Sequence, residues 1–327
     1  MQQCQNIWKE WQKLAKKKKE ILFCDFFENW IETYKVGAIA KVTLEKYYMA
    51  AKHLRDICPK LLMSEFDRQA YQRIINEYAK THEKQTTTDF HHQIKGCILD
   101  AFHDGLLEKD PTYRAVIKGK EPSEKKRKFL QKDELTKLLR SLDLSKGINR
   151  DWMILIAAKT GVRYAEVLAL TPSSFDWTNN TVTIDKTWDY RYEKGFKKTK
   201  TPASVRTIAV DWQIVGQFKP LVENLPENEP IFVGKDEQGH YKRRFNSTIN
   251  NYLSSKCQEL GITDVSFHAL RHTHASVLLA EGVSIHTISA RLGHSNVSVT
   301  QETYAHILDE LQKKDDQKMM SVLMQIA

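Results

Sequence analysis

The sequence lacks several things that would narrow its role. No apolar run approaches the roughly 18–20 residues needed to cross a bilayer. Its opening, Met1-Gln-Gln-Cys-Gln-Asn, has neither the charged region nor the apolar stretch of a secretory leader, so the expected location is cytoplasmic. Cysteine is sparse: Cys4, Cys24, Cys58, Cys97 and Cys257 are scattered and odd in number, and none has C-x-x-C spacing. That pattern excludes a disulfide scaffold and fits reduced, partly buried thiols. No internal repeat is evident, which excludes a solenoid.

What is present is length and positive charge. The chain has 327 residues, comfortable for two domains. It is 41% hydrophobic and 28% charged, ordinary for a globular protein, and carries a net charge of +9. A basic excess suits a polyanion, because each neutralised phosphate releases counterions. The charge is gathered in short clusters: Lys16 to Lys19, Lys125-Lys126-Arg127-Lys128, and Lys194 to Lys200.

Periodicity divides the chain. Residues 1–20 form a basic N-terminal segment. Residues 21–116 read as helical, with apolar spacing over Ile21–Tyr34, a helix capped by Thr43, one over Glu65–Ala79, and one opened by Thr86-Thr87-Thr88. Residues 117–128 are charged and aperiodic, with one Gly and one Pro, and are expected to be a linker. Residues 129–310 are mixed: helices over Lys132–Leu142 and Arg150–Lys159, a strand over Val182–Trp188, another over Val205–Val210 with a basic hairpin between, then helices to about Ile307. The tail, residues 311–327, reads as an amphipathic helix with Met319, Met320, Leu323 and Ile326 among charges, either packed on its own domain or docked on a neighbouring protomer. The expected fold is mainly α with a small antiparallel β-sheet, in two domains.

Four short motifs in the second half supply parts for chemistry at a phosphate. Arg163 follows Gly161, which ends a helix, so its side chain can project into a cleft, with Glu166 three residues on as a partner. His268 and Arg271 are three apart and share one helical face. A guanidinium pairs with phosphate oxygens two at a time. The spacing of His268 and His272 also suggests zinc, but the protease pattern needs Glu where Ala269 stands, so no metal is expected. His294 follows Gly293, and Tyr304 lies ten residues later in a helix opened by Ser298-x-x-Gln301. A lone Tyr in such a helix is usually core. As a nucleophile it would need cations or a base beside it, because its ordinary pKa is about 10.

In that order, Thr-Gly-Val-Arg163, His268-Ala-Leu-Arg271-His-Thr-His, Leu-Gly-His294-Ser and Thr-Tyr304-Ala, the sequence resembles the tyrosine recombinase (phage integrase) family. The likeness is firm over about 129–306 and looser over 21–116, which is similar to the family's helical, SAM-like core-binding domain. It implies that Arg163, His268, Arg271 and His294 surround a scissile phosphate while Tyr304 attacks it, leaving a 3′-phosphotyrosine and a free 5′-OH, with no cofactor. It implies a hairpin lysine as acid for the leaving oxygen: Lys200, with Lys198 as the alternative. It further implies double-stranded DNA as partner, a homotetramer on two DNA sites with the tail exchanged between protomers, and an excisionase or host DNA-bending protein as accessory factors. Lys41 and Thr43, before a helix, and Lys95, on a polar helix face, are the DNA contacts expected in the first domain, and Lys198 in the second. Two other readings share these residues: a type IB topoisomerase-like enzyme, and a DNA-binding protein with a decayed site.

Overall fold

A computed structural model describes residues 21–121, 129–192, 195–199 and 201–305, with Met319 and Met324 beyond them. The chain divides into two compact units, Met1–Lys125 and Lys126–Ala327. It is mostly helical, with small antiparallel sheets. Among the described residues no helix is long and apolar enough to cross a membrane.

In the first unit four helices, α1 (Phe23–Tyr34), α2 (Lys41–Ile57), α3 (Arg68–Ala79) and α4 (Lys84–His103), close around Phe23, Phe27, Leu54, Tyr71, Ile75 and Ile94. The Trp30 indole N–H donates to Asp100 at 2.7 Å, tying α1 to α4. Three expected helix starts are displaced. The residue flanking α2 is Ala40, so Lys41 and Thr43 lie in its first turn rather than before it, and the Thr43 N–H bonds the Ala40 carbonyl. Helix α3 starts at Arg68 behind Asp67, whose carboxylate accepts from the Ala70 N–H at 2.7 Å; Met63–Glu65 is a separate 3-10 turn. Helix α4 starts at Lys84, and Thr87 and Thr88 turn their hydroxyls back onto the carbonyls of Glu83 and Lys84 inside it. Hydroxyl side chains serve caps and back-bonds alike, which makes a start ambiguous in sequence. Beyond α4, Gln72 holds Val116 through both its N–H and its carbonyl, and the Lys120 N–H donates to the His82 carbonyl. Residues 117–121 of the expected linker therefore lie along this unit; residues 122–128 are outside the described residues.

The second unit is built on α6 (Arg150–Thr160), whose residues Trp152 to Ala158 are all buried. Around it stand α5 (Lys132–Arg140), α7 (Tyr164–Leu168), α8 (Lys219–Val222), α9 (Asn246–Glu259), α10 (Phe267–Ala280), α11 (Ile285–Leu292) and a helix over 297–305, α12. Asn149 caps α6 by accepting from the N–H groups of Asp151 and Trp152. The single strand expected over Val182–Trp188 is broken at Asp185, and its halves join different sheets. β2 (Thr181–Ile184) lies between β1 (Phe175–Asp176) and β5 (Arg206–Ala209), with Ile184 opposite Arg206. β3 (Lys186–Trp188) pairs with β4 (Phe196–Lys198), placing Lys186 opposite Lys198. Instead of one sheet, the described residues hold two. Side-chain alternation continues through Asp185, so the pattern of apolar residues cannot reveal the break.

Candidate active site

Two helix ends organise the site. Helices α6 and α11 both finish on a left-handed glycine, Gly161 (φ 71°) and Gly293 (φ 71°). The last carbonyls of a helix have no partner within it and carry the negative end of its dipole. Here guanidinium groups satisfy them. Arg271 donates to the Gly161 carbonyl at 2.7 Å and to the Leu292 carbonyl at 2.6 Å. Arg291 donates to the Lys159 carbonyl, and Arg206 donates through Nε to the Arg291 carbonyl at 2.7 Å. The close approach needs Gly161 for space as well as conformation, since a Cβ there would lie 2.7 Å from Leu292 and 2.9 Å from His274.

Arg163 is the residue before α7, two past Gly161. The pair anticipated with Glu166 is formed. The Arg163 backbone N–H donates to Glu166 Oε2 at 2.8 Å and its guanidinium to Oε1 at 2.9 Å. Arg206, on β5, holds the same carboxylate from the other side at 2.9 Å. Burial pushes the Glu166 pKa up, but Arg206 first and then Arg163 outweigh it, and the net shift is downward. One carboxylate thus anchors two cations. Arg163 remains 37% exposed at its side chain, open to a ligand.

Helix α10 presents the next group. Ser266 caps it by accepting from the Ala269 N–H. Arg271 is 3% exposed. Burial, then the charge of Arg163, pulls its pKa down to about 9. It stays protonated at neutral pH, but its charge is buried beside other cations and gains by meeting an anion. His268 keeps an open edge, yet the protein packed around its ring, then Arg271 and Arg163, lower its pKa. His274, one turn past Arg271, faces inward: it donates from Nδ1 to the Ala158 carbonyl and accepts at Nε2 from Arg291.

The turn after Gly293 carries His294, whose Nδ1 lies 2.8 Å from the hydroxyl of the buried Thr300. Burial first, then Arg271, Arg163, His272 and Arg206, push the His294 pKa down to about 4. Helix α12 is capped by Asn296, which accepts from the Ser298 N–H, rather than by Ser298 itself. Tyr304, on α12, is 2% exposed, packed with Ala275, Leu279, Ile288 and Leu292. Burial raises its pKa to about 12 against the pull of Arg271. Its hydroxyl lies 3.0 Å from Nδ1 of His272.

The structure therefore places Arg271 within electrostatic reach of Arg163, His268, His294 and Tyr304. Lys198 is exposed on β4, and Lys200 lies outside the described residues. Lys41 and Thr43 are exposed on the first turn of α2, and Lys95 is half-buried on α4, all in the first unit. Among the described residues no three His, Cys, Asp or Glu side chains are grouped to hold a metal ion. Motif reading did not single out His272, Arg206 or Thr300 as functional. Their partners lie 32, 40 and 6 residues away, and only the H-x-x-x-H spacing drew attention to His272.

Comparison with known proteins gives consistent results. Residues 128–310 match the Phage integrase family. The chain is 26% identical over 334 residues to the integrase of Staphylococcus phage L54a, covering 92% of this chain and 93% of that one. It is similar in structure to the Tn1549 transposon integrase in complex with a circular intermediate DNA, with TM-score 0.73 and 16% identity, covering 91% of this chain and 99% of that one. It is also similar to the lambda integrase, solved as a tetramer bound to a Holliday junction, with TM-score 0.64 and 16% identity over 89% and 80% of the two chains. At these identities the structural likenesses establish a shared fold.

Proposed function

The chain belongs to the phage integrase family, and on that premise we propose that it is a site-specific tyrosine recombinase that integrates and excises a mobile element or prophage. It is a DNA strand transferase, working without metal or ATP through a 3′-phosphotyrosine on Tyr304. The scissile phosphate enters beside Arg163 and Arg271, with His268 and His294 completing its contacts. As phosphorus becomes five-coordinate, charge builds on the non-bridging oxygens, where preorganised donors are most effective. Arg271 is prepared for this, because two helix ends already hold it and it need not reorganise. The leaving 5′ oxygen takes a proton from a lysine of the β3–β4 region, Lys200 by preference over Lys198. The phosphotyrosine conserves the energy of the broken bond, so the reverse attack by a 5′-OH reseals the strand.

One observation carries this reading: the Tyr304 hydroxyl meets the helix that bears His268 and Arg271, through His272 at 3.0 Å. Around that catalytic unit, residues 129–310, we assign the first unit, residues 21–116, to DNA binding through Lys41, Thr43 and Lys95, with residues 117–128 as the linker and the basic segment 1–20 preceding it. The tail, residues 311–327, falls almost wholly outside the described residues; we assign it to exchange between protomers. Four copies on two duplexes in the cytoplasm are the working unit, as in the lambda integrase tetramer on its junction.

Recombination on a plasmid tests this. A supercoiled plasmid carrying two copies of the DNA that flanks the gene, incubated with the protein in EDTA and without ATP, should yield deletion or inversion products. Relaxed plasmid without recombinants would favour a topoisomerase-like activity instead, and no change in a plasmid that the protein binds would favour a decayed enzyme.

A further inference from the structure

Given Tyr304 as the nucleophile, the reading on which this rests, we propose that His272 is the general base that takes the phenolic proton during cleavage and the acid that returns it on resealing. The Tyr304 hydroxyl is buried and needs an acceptor within reach as its oxygen attacks. Among the described residues its hydrogen-bond partner is Nδ1 of His272, at 3.0 Å. General bases act from this distance. Among the described residues no hydrogen bond joins Tyr304 to His268, His274 or His294; His294 turns Nδ1 to Thr300, and His274 spends both nitrogens on Ala158 and Arg291. The donors of Arg271 face the Gly161 and Leu292 carbonyls, and an arginine accepts nothing.

His272 is also fixed in place. It stands one turn after His268 on α10, and the two rings meet edge to face, 5.1 Å between centroids and 84° between planes. That contact restricts rotation of the imidazole and keeps Nδ1 toward α12. In the forward step the Oη–H bond of Tyr304 breaks as Oη–P forms and P–O5′ breaks; the phenolic proton goes to His272 Nδ1, and the leaving O5′ takes one from the lysine. Resealing runs the same path backward: the 5′-OH gives its proton back to the lysine as O5′–P forms, Oη–P breaks, and Nδ1 returns its proton to Tyr304. His272 must therefore begin with Nδ1 unprotonated and Nε2 carrying the hydrogen. Among the described residues, the titratable and charged groups near it include His268 and Arg271 on its own helix, His294 on the turn after α11, and Tyr304 on α12.

The test is single-turnover cleavage of a nicked duplex by the full chain, measured across pH for wild type, His272→Ala, His272→Asn and Tyr304→Phe. Loss of a general base should slow cleavage about 100-fold. It should also remove the fall in rate on the acid side of the wild-type profile, and added imidazole should restore part of the His272→Ala rate. His272→Asn keeps a polar group near the place of Nδ1 and carries the same test if the alanine variant does not fold. Cleavage within about threefold of wild type, or slower cleavage with the acid limb intact and no imidazole rescue, overturns the assignment. If Tyr304→Phe is dead while either His272 variant behaves as wild type, only the base is wrong. An adduct formed by Tyr304→Phe removes the nucleophile and the base together.

Discussion

At the scale of single residues, the site is a set of guanidinium groups anchored by backbone carbonyls and one carboxylate. Arg271 is the extreme case, 3% exposed and anchored at both ends of its fork. Replacing it with alanine should raise the barrier to cleavage by about 3 kcal/mol, the scale of one lost oxyanion donor, while DNA binding, spread over many phosphate contacts, falls far less. Comparing single-turnover rates with gel-shift affinities checks this; a rate within threefold of wild type contradicts it. The five motif residues were legible because phosphate chemistry demands particular side chains and the motifs are local in sequence. His272 and Arg206 were not. They look like any His or Arg until folding sets them against Tyr304 and Glu166, 32 and 40 residues away.

At the scale of elements, the site depends on where helices stop. Gly161 and Gly293 could be read as helix ends from sequence, because glycine alone enters the left-handed region without penalty. What could not be read is that Gly161 must also admit the flank of α11 and the ring of His274. Gly161→Ala should therefore destabilise the second unit by about 2–4 kcal/mol, combining left-handed strain with overpacking. It should slow cleavage as well, since the Gly161 carbonyl holds Arg271. Urea denaturation of the variant checks the first effect; an unchanged midpoint contradicts it. The strands were less legible than the helices. The alternation of Val182–Trp188 is real, but Asp185 passes the chain from one sheet to another, a choice made by pairing with β5 and β4. Thr43, Thr86 and Ser298 misled as helix caps because Ala40, Glu83 and Asn296 take the flanking positions.

At the scale of the molecule, several histidines are folded in neutral form. Burial pushes His91 in the first unit, and His274 and His294 in the second, down to about 4. Unfolded, each titrates near 6.5. The unfolded chain therefore binds more protons between those values, so stability is full above pH ~6.5 and declines as pH falls toward ~4. For the buried His274 alone the loss over that window is about 3 kcal/mol. Urea midpoints should drop between neutral pH and about pH 5, and His274→Gln should flatten that slope; a midpoint that holds or rises on acidification contradicts the burial of these rings. A bound phosphate would act in the opposite sense on His294, favouring its charged form.

The most direct measurement of the central claim is covalent trapping. Wild type and Tyr304→Phe are incubated with nicked duplexes drawn from DNA flanking the gene, and the products are denatured in SDS. The account predicts a protein–DNA adduct with wild type alone, its phosphate on the peptide that contains Tyr304 and a free 5′-OH on the released strand. An adduct with Tyr304→Phe, or a wild-type adduct on another residue, would contradict it.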